Sequence, residues 1–159
     1  LWISNIFLAK KLFLRELLFY NEDMMAVCET FIDVQFFDLD PMNVVWHGNY
    51  VKYLETARCD LLTKVGYTYD DMKNDGYAYP VAKMDLKFIQ PATFMQKLKV
   101  VSTIVDIAPA LNIKYEIFDV QTGEKIFIAK SMQICVDIKT RKSVYVAPKR
   151  FVERLKNYA

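Results

Sequence analysis

The 159-residue sequence is short of three things: it has four glycines, three cysteines and one histidine. Each shortage removes a class of chemistry. One histidine excludes a His-rich zinc site and allows at most one His-dependent triad, and no Gly-x-Ser-x-Gly elbow surrounds any serine. Cys28, Cys59 and Cys135 lie 31 and 76 residues apart, too sparse for a paired-cysteine metal knuckle or a disulfide framework. A reducing compartment follows, and the expected location is cytoplasmic. No glycine-rich phosphate loop exists, so redox chemistry has no visible cofactor site; neither a cofactor nor a metal is expected.

What is present suits one compact domain: 53% hydrophobic, 14% aromatic and 25% charged residues. The net charge of +2 hides an asymmetry. Residues 123–159 hold nine Lys or Arg against three acidic residues, a net of +6, which leaves −4 on the rest. A basic C-terminal third can meet an anionic ligand. Lacking a long basic stripe, zinc-finger spacing or an aromatic RNA-binding signature, the chain suits a small phosphorylated ligand better than nucleic acid.

The opening LWISNIFLAKKLFLRELLFY is apolar, but Lys10, Lys11, Arg15 and Glu16 interrupt it. The run therefore falls short of the roughly 20 apolar residues that a membrane span wants. A basic pair inside the run is also wrong for a secretory signal. Leu8 and Leu12, with Leu14, Leu17 and Leu18, recur at helical spacing. Residues 1–23 therefore read as an apolar helical extension. It packs on its own domain or a partner subunit, or rests on a membrane surface through residues 1–20, or is a non-native or extended start. Met24–Met25 offers a plausible beginning for the domain at 24–159.

Residues 30–37 read as a strand. His47–Val65 carries Tyr50, Tyr53, Leu54, Ala57, Leu61 and Val65 at helical recurrence, ends at Gly66, and has little fully polar face, which predicts a deeply packed helix. A polar loop, YDDMKNDG, precedes strands at 78–91, 97–107, 111–119 and 125–138. Pro148 opens a short C-terminal helix. Strand–helix alternation is missing, so the pattern predicts an α+β chain, an antiparallel sheet wrapped around one long helix.

Chemistry concentrates in residues 37–50, FDLDPMNVVWHGNY, where two carboxylates and the only histidine sit between a strand end and a helix start. The first N–H groups of a helix lack internal acceptors and can polarise a carbonyl oxygen. A neighbouring carboxylate can attack that carbonyl or activate water, which is what acyl transfer or ester hydrolysis needs. The same residue types have a plainer use: Asp38 or Asp40 can cap a turn, and a lone histidine can be structural.

Residues 38–50, DLDPMNVVWHGNY, continued by VKYLETAR, closely resemble the signature segment of hotdog-fold acyl-CoA thioesterases of the 4-hydroxybenzoyl-CoA thioesterase and YbgC-like (Tol-Pal-associated) type. The order of elements extends that likeness from Met24 to Tyr158. The resemblance implies a hotdog fold with terminal helices and hydrolysis of an acyl-CoA thioester. Asp40 matches the catalytic carboxylate, base or nucleophile, and His47 an assisting histidine. The amides near Trp46 and His47 match the carbonyl-polarising site. Asn49 and Tyr50 fall on pocket-shaping positions and Glu55 on a structural one. Asp38 matches too, facing a strand end where it equally well fixes the loop. Two departures concern the acyl pocket: relatives often carry glycine where this chain has Asn43, and a small residue where it has Met42. These larger side chains are expected to narrow the acyl entry or alter the loop.

CoA, as part of the substrate, needs a basic surface. Lys139, Arg141, Lys142, Lys149 and Arg150 are the candidates, set against an ordinary solvated turn and helix end. The resemblance also implies a homodimer joined edge to edge, pairing further into a homotetramer. Two other readings stay open: a hotdog-fold β-hydroxyacyl-thioester dehydratase, and a non-enzymatic acyl-CoA or lipid-binding module.

Overall fold

A computed structural model describes residues 26–158. The extension at 1–23 and the domain start at Met24 lie outside the described residues. In chain order the elements are β1 (Val27–Asp33), α1 (His47–Val65), α2 (Tyr69–Asn74), β2 (Tyr77–Ala78), β3 (Val81–Phe88), β4 (Lys97–Asp106), β5 (Leu111–Asp119), β6 (Lys125–Gln133), β7 (Val136–Asp137) and α3 (Lys149–Lys156). Five strands form an antiparallel sheet in the order β1-β4-β5-β6-β3, and β2 pairs with β7 apart from it.

Period-2 alternation builds the sheet's inner face. On β5, Leu111, Ile113, Tyr115 and Ile117 are buried while Asn112, Lys114 and Glu116 lie half-exposed on the outer side. α1 lies across this face and buries Tyr50, Tyr53, Leu54, Ala57, Leu61, Leu62 and Val65. The expectation of a deeply packed helix with little fully polar face needs correcting. Lys52, Glu55, Thr56, Cys59, Asp60 and Thr63 are exposed, because the apolar recurrences fall side by side and merge into one stripe. Gly66 ends the helix in the left-handed region at φ 77°, as a C-terminal glycine does.

Several boundaries also shift. β1 starts at Val27 and stops before Phe36–Phe37, whose apolar rings are exposed on a 3-10 turn instead of filling a strand. The 78–91 run breaks at Tyr79–Pro80, and the 125–138 run breaks after Gln133, where the chain leaves the main sheet so that β7 meets β2. The polar stretch after Gly66 holds a short helix. Thr68 and Asp71 cap it reciprocally, the Asp71 carboxylate accepting from the Thr68 N–H at 2.9 Å. β3 is a sheet edge with Val81, Leu86 and Phe88 exposed. No helix among the described residues is long and apolar enough to cross a membrane. All three cysteines are free.

Candidate active site

The segment between β1 and α1 is built from short-range bonds. The Asp38 carboxylate accepts from the Gln35 N–H at 2.9 Å and closes the 3-10 turn Phe36–Asp38. Leu39 then bridges Val45, the Asp40 N–H donates to the Val44 carbonyl at 2.8 Å, and the Asn43 N–H donates to the Asp40 carbonyl at 2.9 Å. Residues 39–45 are thus a tight hairpin with Pro41, Met42 and Asn43 at its tip. Asn43 takes φ 60°, the left-handed region that asparagine tolerates best after glycine. Asparagine at this position therefore suits the turn. Met42, 75% exposed, points away from the chain's own core.

Asp40 divides its carboxylate. Oδ1 accepts from the Met42 N–H at 2.8 Å and weakly from the Val44 N–H at 3.5 Å. Oδ2 takes no bond among the described residues. The turn-capping use and an available oxygen coexist in one side chain.

The hairpin feeds directly into α1. The Trp46 N–H donates to the Asp38 carbonyl at 2.9 Å, and the buried Asn49 side chain donates to the same oxygen at 2.8 Å. Trp46 therefore does not offer the free amide expected of it: its N–H is already satisfied. The amides without an acceptor among the described residues are those of His47 and Gly48 in the first helical turn. The Trp46 indole folds over Gly48 so closely that any Cβ there would collide with the ring. His47 is exposed, its ring centroid 4.9 Å from that of Trp46.

Asn49 and Tyr50, expected to shape the acyl pocket, serve the framework. Asn49 is spent on the Asp38 carbonyl. The Tyr50 hydroxyl accepts from the Ala92 N–H at 3.1 Å, and its ring stacks on Phe127 and meets Phe88 edge-on. Burial pushes the Tyr50 phenol up. Burial, with the Asp38 carboxylate adding to it, pushes Tyr53 up as well. Val45 donates to the Ala92 carbonyl at 2.8 Å, so Ala92 grips both the loop and the helix, a role that no local sequence signal announces. Glu55 is structural: both its oxygens take Arg58 Nη2, at 2.5 and 2.6 Å, and it accepts from the Tyr69 hydroxyl at 3.0 Å.

The basic candidates lie at the other end of α1. The Ile138 N–H donates to the Gly76 carbonyl, and the Arg154 side chain lies against Gly66. Nineteen helical residues put this end roughly 28 Å from His47. Lys139, Arg141 and Lys142 are exposed on a hairpin in which the Arg141 N–H donates to the Asp137 carbonyl. Arg150 is not free for a phosphate: it pairs with Asp71 and, at 3.3 Å, with Asp75. Lys149 is exposed with Glu153 3.8 Å away. Among the described residues no hydrogen bond or ion pair joins the basic turn to the carboxylate loop.

Residues 34–155 match the thioesterase-like superfamily. The chain belongs to that superfamily. A Bacillus subtilis (strain 168) protein, YneP, provisionally named an acyl-CoA thioesterase, is 29% identical over 121 residues, covering 76% of this chain and 87% of its own. The solved DHNA-CoA thioesterase of Staphylococcus aureus superposes with a TM-score of 0.72 at 27% identity, over 83% of this chain and 87% of that one. Staphylococcus aureus SAV2348, solved in complex with CoA, gives a TM-score of 0.75 at 15% identity, over 83% of each chain, a likeness of fold alone. The thioesterase-like domain thus has the hotdog architecture, and its membership makes it a thioester hydrolase. In that light residues 38–50 are the segment where its chemistry is to be sought.

Proposed function

We propose that this domain hydrolyses an acyl-CoA to a free carboxylic acid and CoA, in the manner of the 4-hydroxybenzoyl-CoA thioesterase and YbgC-like group. One observation carries the reading. The Asp40 hairpin keeps one carboxylate oxygen unclaimed and runs straight into the two unclaimed amides, His47 and Gly48. The thioester carbonyl oxygen faces those amides, where developing negative charge meets preorganised donors and the positive end of the helix dipole. Acting as base, Asp40 takes a proton from water while the water oxygen bonds to the carbonyl carbon. The C–S bond then breaks, and the CoA sulfur receives the proton from Asp40. His47, exposed beside the amides, orients the water or the leaving group.

The open β3 edge supports an edge-to-edge homodimer, with dimers pairing further. Tyr50, near the start of α1, meets Phe88 on β3, whereas Lys64 near its end reaches β1 at the opposite edge, so a two-fold axis across the β3 edges brings the two helix starts toward the interface. Lys139, Arg141 and Lys142, exposed on their turn, are the residues proposed to meet the CoA phosphates. The free cysteines support a cytoplasmic location.

Asp40→Asn tests the core of this reading. Asparagine keeps an oxygen to cap the turn, so the fold survives, while loss of the base costs about 100-fold or more in turnover on acyl-CoA. A purified, folded variant with near wild-type turnover sinks the assignment. Comparing His47→Ala with His47→Gln decides whether the imidazole takes part, since equal near-normal rates assign it to structure only. Unchanged CoA affinity in Arg141→Ala/Lys142→Ala removes the basic turn from the substrate site.

A further inference from the structure

Asn49 makes the only side-chain hydrogen bond between α1 and the Asp40 loop among the described residues. It is 5% exposed, and both loop-to-helix bonds converge on one acceptor, the Asp38 carbonyl. The hairpin beyond is internally rigid through the Asp40–Val44 and Asn43–Asp40 bonds and the Asp40 Oδ1 cap. It is therefore held as a unit at its base, where the Val45 N–H bond to the Ala92 carbonyl anchors one strand and the Asp38 carbonyl ties the other to the helix start. The Trp46 bond is made within the connecting chain and acts as a pivot. The Asn49 bond comes from inside the helix and fixes the angle about that pivot. The Asp38 carboxylate gives Oδ2 to Gln35 and lies near the Tyr53 hydroxyl of α1 without a hydrogen bond to it among the described residues, so it does not duplicate the Asn49 bond.

We propose that Asn49 is a positioning residue: its amide pins the Asp38 carbonyl and so holds the Asp40 carboxylate at a set distance from the His47 and Gly48 amides. This rests on the assignment of Asp40 as the base. A displacement of about 1 Å between reacting groups costs on the order of 100-fold in rate without weakening substrate binding. Loss of Asn49 therefore lowers kcat and spares KM.

The test measures kcat, KM and Tm for Asn49→Asp, which keeps the shape but loses the donor, and for Asn49→Ala. Each is made alone and in an Asp40→Asn background. Expected are a roughly 10- to 100-fold fall in kcat with KM within about twofold. In the Asp40→Asn background the further cost drops below about threefold, because there is no longer a base to misplace. A purely structural Asn49 instead lowers Tm and leaves kcat per folded molecule unchanged, which overturns the proposal. So does a cost undiminished in the Asp40→Asn background, and so does failure of both single variants to fold. If Asp40→Asn itself retains activity, the assignment of the base is what falls; if only the Asn49 variants are normal, the positioning role alone falls.

Discussion

The two ends of α1 are finished in opposite ways. At its end, Gly66 caps the backbone, Tyr67 stacks on Phe151 at 4.6 Å between centroids, and Arg150 locks α3 to Asp71 and Asp75. At its start two amides and a carboxylate oxygen go unclaimed, and Phe36, Phe37, Met42 and Trp46 are exposed. The closed end holds the domain together, and the open end retains the unsatisfied polar groups that a reaction can use.

Breaking the closed end should therefore cost stability and spare chemistry. Phe151→Ala removes a fully buried ring from the Tyr67 stack and is expected to cost about 3–5 kcal/mol in urea unfolding, with turnover per folded molecule intact. A fall in turnover at equal folded fraction would blur the contrast. At the open end, Tyr50→Phe leaves the buried Ala92 N–H without its acceptor, for about 1–3 kcal/mol by the same measurement. Its effect on turnover shows how far the framework beneath the loop reaches.

A subtler test of the closed end uses acid. The Thr68 backbone and side-chain donors, with Arg150 beside them, hold the Asp71 carboxyl below its ordinary value. A carboxyl lowered in the folded state stabilises it above the unfolded pKa, and that contribution disappears as pH falls through the folded one. Wild type should thus lose its urea-midpoint advantage over Asp71→Asn on acidification, and an advantage constant with pH would remove Asp71 from the acid limb. The smallest effect belongs to the hairpin tip. Asn43→Gly relaxes a left-handed residue and should change Tm by no more than a few degrees, whereas Asn43→Val should lower it clearly.

Local signals carried much of this. α1 and β5 occupy the residues that their periodicity predicts, because burial on one face and exposure on the other is a property of the segment itself. The Thr68–Asp71 capping box is also present in the sequence but straddles the start of a stretch that reads as polar loop. Phe36 and Phe37 misled because two adjacent apolar rings suggest a strand, whereas the Asp38 cap bends the chain into a turn. At the site, residue types were legible and their division of labour was not. The choice of His47 and Gly48 over Trp46 as open amides depends on the Asp38 carbonyl, and a backbone oxygen leaves no trace in residue identity.

The Trp46 ring resting on Gly48 ties two positions into one choice. A side chain at 48 must evict the indole, and a smaller residue at 46 would uncover the helix start and free position 48 to grow. Across descendants of this sequence the two sites should drift as a pair, large with none or small with some, and a substitution at either one alone should be the rarer event.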